Sequence, residues 1–472
     1  MDIVDLDGTT LAQELRAGTL SCVEVLQAYL ARIDARNPRF NAIVALRDRE
    51  ALVAEARERD AQRARGEPCG ALHGIPLAVK DLSAVKGLPW TQGSTILRGT
   101  IAPADSPMVA RLRAAGAIFL GKTNTPEFGL GSHTFNPVYG ASRNALDPSR
   151  SAGGSSGGAA VALALRMLPF ADGSDYGGSL RNPAGWNQVY GLRTSIGLVP
   201  QDARDAWLPS MGVQGPMART VTDLATLLSV QAAAEPGDPL GIPCDTAQWG
   251  KLEATMRGRR IAWGGDLGGA TPCEPGVLEA CGPALRVFES LGCVVEEDYP
   301  RADFEALWQA TKDLRAWQIG SALLPLYQDR AHRDQLKPEA IFEIETGARL
   351  SAYDIAAASQ LRTRWTHALR AFFARHDALV LPTAQVFPFA IDERWPGFIA
   401  GQRMQTYHEW MKANLLVTMS GCPSLAAPAG LAANGLPMGI QIIVPVRRET
   451  DCLQLAFAYE AASAHLRVAL PA

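Results

Sequence analysis

Apolar residues recur along this chain in two alternating rhythms. "SCVEVLQAYLARIDARN" (21–37) sets them at helical spacing behind a Ser cap, and "REALVAEARERDAQRAR" repeats the pattern with its charges outward. "IPLAVKD" (75–81) is a short apolar run with the look of a buried strand, closed by Lys80 and Asp81. "SPMVARLRAAG" and "AIFLGKTN" then read as helix, glycine stop and strand. The alternation returns with "DALVLPT" (377–383), "MGIQIIVP" (438–445) and a closing helix from about Glu449. Strands alternating with helices predict a layered α/β fold. With no repeat, no low-complexity tract and no linker, one domain over 1–472 is expected. Residues from about 230 to 410 are less regular, and a more helical region capping a site is expected there.

Composition narrows the field. The 472 residues are 47% hydrophobic and 20% charged, which suits a large globular core. A net charge of -3 without a Lys/Arg tract argues against nucleic acid and anionic membrane as partners. The start "MDIVDLDGTT" lacks the basic and apolar regions of a signal peptide, and Arg166 interrupts the most apolar run, "AAVALALRML". A soluble, cytoplasmic protein is expected. The eight cysteines form no CxxC pair, so neither a zinc site nor a disulfide framework is indicated, and buried thiols are the simpler reading.

Three catalytic patterns match by spelling. "GAIFLGKT" (116–123) fits the P-loop expression, but its middle is strand-like, and Asn124, Thr125 and Pro126 follow where a phosphate-binding helix should begin. "SAVK" (83–86) fits the Ser-x-x-Lys of penicillin-binding enzymes without their Lys-Thr-Gly partner, so it reads as a loop. "GGSSG" (153–157) fits a nucleophile elbow with Ser155 attacking, and His332, His367, His376, His408 and His465 follow as partners. An elbow needs a strand just before it, whereas "NALDPSRSA" is turn chemistry.

"GGSSGG" is no linker either, because it runs directly into an apolar helix start. Twenty-four residues after Ser155, Gly177 and Gly178 stand immediately before Ser179. Two glycines there free successive N–H groups to point at one spot, as an oxyanion hole requires, and make Ser179 the better nucleophile candidate. Lys80, ending a buried strand, is the natural base. Its ordinary pKa of about 10.4 must fall by desolvation before it can serve.

The ordered set "GIPLAVKD", "GKTNTPEFG", "SAGGSSGGAAVALA", "GSDYGGSLRNPA", "GPMARTVTDLA" and "NGLPMGIQIIVP" resembles the amidase signature family of serine hydrolases, most densely over 74–221. The resemblance implies a mixed, twisted β-sheet flanked by helices on both faces. It also implies a Ser-cisSer-Lys triad of Lys80, Ser155 and Ser179, with the middle serine in a cis peptide, Gly154–Ser155. An oxyanion hole from the amides of Tyr176, Gly177, Gly178 and Ser179 is implied, with Ser156, Asp175 and Arg181 as supports. The implied activity is hydrolysis of a small amide through an acyl-enzyme, without metal or cofactor, and a homodimer would be in keeping with the family.

Tyr176 departs from the small or aliphatic residue of many members and is expected to narrow the pocket. The stretch from Lys312 lacks the "SNLARYDG"-like segment of amidotransferase glutaminase subunits, which favours a free-standing amidase. An apolar pocket for an aryl or alkyl group is expected from some of Phe128, Tyr176, Trp207, Met211 and Trp410, with core the simpler reading for any single one. Carbamate or ester hydrolysis on the same triad, or a glutaminase-type subunit of an amidotransferase, is the alternative. A Ser-His enzyme using Ser155 and a non-catalytic binding protein are weaker ones.

Overall fold

A computed structural model describes residues 2–468, apart from 202–204, 206, 209–210, 236 and 253–254. Its frame is a mixed sheet of eight strands in the order Val294–Glu297, Arg260–Trp263, Ala378–Pro382, Pro437–Ile443, Ser424–Leu431, Tyr190–Arg193, Val213–Ala218, Phe170–Asp175. Arg260–Trp263 runs parallel to both its neighbours, and every other pairing is antiparallel. All seven residues of Pro437–Ile443 are buried, so both faces of the sheet centre are covered. Helices Arg181–Trp186, Val277–Ser290 and Glu449–Ala462 pack on these central strands.

A second sheet of three strands holds Pro76–Lys80 parallel to Ile118–Thr123, with Lys80 opposite Thr123, and Ile43–Val44 antiparallel on the far side. The two sheets are joined at Lys80 by a side chain: its N–H donates to Asp172 Oδ1 on Phe170–Asp175 at 3.0 Å. This junction brings residues 80 and 170–180 together.

Most of the expected elements form where the periodicity placed them. The first long helix, Cys22–Phe40, opens on a Ser21–Glu24 capping box and runs three residues beyond the expected end at 37, because Phe40 is buried in the core. "AIFLGKTN" is the strand Ile118–Thr123, and only a single 3-10 turn, Glu127–Gly129, follows it where an α-helix would be needed, which removes the P-loop reading. The stretch from about 230 to 410 holds the long helices Phe304–Gln328 and Ala352–Phe373 and gives three strands to the large sheet, of which Ala378–Pro382 was expected and Arg260–Trp263 and Val294–Glu297 were not. Pairing of those two strands depends on neighbours distant in sequence, which local pattern does not report. No helix among the described residues is long and apolar enough to cross a membrane.

The helix Gly157–Ala164, buried throughout, starts directly behind the serine-rich loop. A Cβ on Gly158 would lie 2.4 Å from the Asn124 amide nitrogen and 2.6 Å from the Ala42 carbonyl oxygen. Gly158→Ala should therefore force backbone apart and cost about 1–3 kcal/mol of stability. A lowered urea midpoint with reduced activity is the expected result; an unchanged midpoint would show that the helix start can shift freely.

Candidate active site

The Lys80 amine lies at the centre of a ring of oxygens. Its Nζ is 2.8 Å from Ser155 Oγ, 2.8 Å from Ser156 Oγ, 3.0 Å from Ser174 Oγ and 3.4 Å from the Ser174 carbonyl. Burial pushes the amine down to about 7, against the upward pull of the Asp172 and Asp175 carboxylates. A neutral amine has two N–H bonds and one lone pair. It can donate to Ser156 and Ser174 while accepting from the Ser155 hydroxyl.

The Gly154–Ser155 peptide is cis. Three successive residues of a neighbouring loop grip the segment before it: Ser132 Oγ donates to the Gly154 carbonyl, and both the amide and the hydroxyl of Thr134 donate to the Gly153 carbonyl, at 3.1 and 2.8 Å. His133 completes the clamp. Burial pushes its pKa down to about 4, so the ring is neutral and carries one N–H. Nε2 is 3.0 Å from the Ile391 carbonyl, which can only accept, so Nε2 donates and Nδ1 accepts from Ser151 Oγ at 2.8 Å. Ser151 Oγ in turn accepts from the Gly153 amide at 3.1 Å. None of the five downstream histidines bonds Ser155, which leaves the elbow reading without a base.

Ser179 lies on a turn held by Asp175, whose carboxylate accepts from the Gly178 amide (2.9 Å), the Leu180 amide (3.1 Å) and both Nε and Nη2 of Arg181 (2.9 Å each). Arg193 adds a second guanidinium through the Asp175 carbonyl at 2.6 Å. Burial alone would raise the Asp175 pKa, but the two arginines hold it well below the usual carboxylate range. Ser156 N–H donates to the Ser179 carbonyl at 3.3 Å, tying the two serine segments together.

The four-amide expectation needs one correction. Gly178 has its N–H committed to Asp175, whereas the amides of Tyr176, Gly177 and Ser179 have no acceptor among the described residues. Gly178 serves the turn differently. Its φ is 102°, and a Cβ there would lie 2.5 Å from Asn414 Nδ2.

The amidase family model matches residues 24–453. The chain belongs to the amidase family. It is 36% identical to an acylamidase of Rhodococcus erythropolis, over 97% of this chain and 95% of that one. It is also 36% identical to a glutamyl-tRNA(Gln) amidotransferase subunit of Thermus thermophilus, over 98% and 99% respectively. A bacterial aryl acylamidase of the amidase signature enzymes superposes with a TM-score of 0.90 at 29% identity, covering 97% of this chain and 96% of that one. The protein is accordingly an amide-hydrolysing enzyme.

The expected pocket residues of this amidase separate into three groups. Tyr176 is fixed beside the Ser179 turn: its hydroxyl donates to Gln318 Oε1 at 2.7 Å, and the Arg315 guanidinium sits 4.8 Å from the ring centroid. Met211 packs in the same cluster and donates its amide to the same Gln318 oxygen at 3.3 Å. Phe128 is half-buried on a turn at φ 52°, and a Cβ on the next residue, Gly129, would lie 3.6 Å from Ser155 Oγ. Trp207 and Trp410 depart from expectation in opposite directions. Trp207 is 80% exposed, whereas Trp410 is 1% exposed and stacked on Trp186 at 5.9 Å in an aromatic core behind Tyr176. Aromatic identity alone does not distinguish lining from core.

Sequence reasoning missed Ser174, Asn414, Gln318 and Arg315. Ser174 had a signal, since it directly precedes Asp175 on a strand. The others lie more than 130 residues from the motif and had none.

The Lys80 value has a measurable consequence, because only the unprotonated amine can take up a proton. The kcat/KM for an amide should rise about tenfold per pH unit below a midpoint near 7 and level off above it. A midpoint near the ordinary lysine value of about 10.4 would mean that burial does not depress this amine.

Proposed function

We propose that this amidase hydrolyses aryl or alkyl carboxamides through an acyl-enzyme on Ser179, with Ser155 as proton relay and Lys80 as base. The observation that carries this reading is the buried Lys80 amine, 2.8 Å from Ser155 Oγ and held near neutrality. Neutral Lys80 accepts the Ser155 proton as Ser155 accepts that of Ser179, and Ser179 Oγ attacks the carbonyl carbon. The negative charge that develops on the carbonyl oxygen falls to the unengaged amides of Tyr176, Gly177 and Ser179. One such donor is worth roughly 2.7–4 kcal/mol in the transition state. As the C–N bond breaks, the Lys80 ammonium returns its proton through Ser155 to the leaving amine. Water then attacks the acyl ester, its proton following the same route, and the acid departs with Ser179 restored.

An apolar substrate group is supported by the wall beside the turn. The Tyr176 ring is immobilised there by Gln318 and Arg315, with Met211 packed nearby. The acylamidase relative and the aryl acylamidase neighbour favour the same substrate class. A glutaminase component of an amidotransferase is the second reading, favoured by the Thermus thermophilus relative at nearly full coverage. A carbamate or ester could also be attacked by the same serine.

Two experiments test the proposal. A serine-directed fluorophosphonate should label Ser179, and the label should be lost in Lys80→Ala; labelling of Ser155 instead would overturn the assignment of roles. In a panel of anilides, aliphatic amides, carbamates and glutamine, anilides or alkyl amides should show the highest kcat/KM. Preference for glutamine would reject the apolar wall as the determinant of specificity.

A further inference from the structure

Lys122 and Asp81 form a second buried ion pair beside the site, which the scheme above does not use. Lys122 Nζ donates to the Ser83 carbonyl and lies 3.7 Å from Asp81 Oδ1, both side chains being essentially inaccessible. Asp81 is further held by the Thr91 hydroxyl and amide. Lys122 and Lys80 belong to the paired strands Ile118–Thr123 and Pro76–Lys80, at adjacent register positions.

Asp172 sits across from both. Its Oδ1 accepts from the Lys80 amide at 3.0 Å, while Oδ2 is buried without a donor among the described residues. Alternation along Phe170–Asp175 puts Asp172 and Ser174 on one face. That face therefore holds Lys80 twice, by its main chain at Asp172 and by its amine at Ser174.

The charged groups bearing on Lys80 are few. The strand Phe170–Asp175 contributes Asp172 and Asp175. Asp175 is neutralised by Arg181 and Arg193. Lys122 on Ile118–Thr123 and Asp81 at the end of the lysine's own strand pair with each other, and the loop 153–157 carries only serine hydroxyls. Asp172 has no guanidinium partner, and the charges of both lysines act on it.

Resting on the triad assignment above, we propose that Asp172 is a positioning residue for the base. One oxygen pins the main chain of Lys80, and the carboxylate charge, shared between Lys80 and the Lys122–Asp81 pair, sets the proton affinity of the amine. Burial pulls the two partners in opposite directions, the amine down and the Asp172 carboxyl up, as expected where the charges of both are poorly solvated.

The test is the pH dependence of fluorophosphonate labelling at Ser179, which needs no knowledge of the natural substrate. Asp172→Asn keeps an oxygen for the Lys80 amide but removes the charge. Its labelling midpoint should fall by about one pH unit from the wild-type value. Lys122→Gln removes the competing cation and should move the midpoint upward. A purely structural role would leave both midpoints at the wild-type value, or shift them the same way, and either result overturns the proposal. Each variant that folds is decisive by its own sign. Failure of the wild-type protein to label Ser179 would instead reject the triad, a result distinct from labelled variants with unmoved midpoints.

Discussion

An amine sealed away from water is the constraint around which this site is organised. Lysine is an effective proton acceptor near neutral pH only when its charged form is made costly, and burial does this at Lys80. A buried polar group left unpaired would be costly too, and the ring of Ser155, Ser156 and Ser174 oxygens meets that demand without adding charge. Hydroxyls suit the task because they can donate or accept as the proton moves. Carboxylates in the same positions would favour the ammonium form.

The fold supplies this environment through a junction between two sheets. Pro76–Lys80 ends where Phe170–Asp175 begins to diverge toward the Ser179 turn, and the Asp172 carboxylate bridges the two backbones. The serine-rich loop is held separately by Ser132, Thr134 and the neutral His133–Ser151 pair. The Ser179 turn is held by the Asp175 carboxylate and its two arginines. Three segments, each with its own polar clamp, thus meet around Lys80 and the Ser156–Ser179 backbone link.

The Tyr176 ring is braced from the later half of the chain. Arg315 reaches the Tyr176 ring while its guanidinium donates to Glu343 Oε1 at 2.7 Å and to the Tyr407 hydroxyl at 2.9 Å. Burial favours protonation of Glu343, but Arg315, His408 and Tyr407 hold its pKa down to about 2. The stretch expected to be a helical cap therefore does two things: it braces Tyr176 and completes one edge of the sheet.

Local pattern determined much of this protein. Apolar periodicity placed the main helices and the strands Pro76–Lys80, Ile118–Thr123 and Pro437–Ile443, because burial on one or both faces imposes a short repeat on adjacent residues. Glycines beside Ser155, and a lysine ending an apolar strand, pointed to the Lys80–Ser155 contact, and the Ser179 segment is tied to it through the Ser156 amide. What the periodicity could not express is burial and pairing between segments far apart in sequence. The exposure of Trp207, the burial of Trp410 and the Asp172 link were decided by tertiary packing, whereas the commitment of the Gly178 amide to Asp175, three residues earlier, is a local turn contact that apolar periodicity does not report. The depression of the Lys80 pKa follows the same rule: its residue type is local, but the desolvation that changes its chemistry comes from strands and loops up to about 100 residues away.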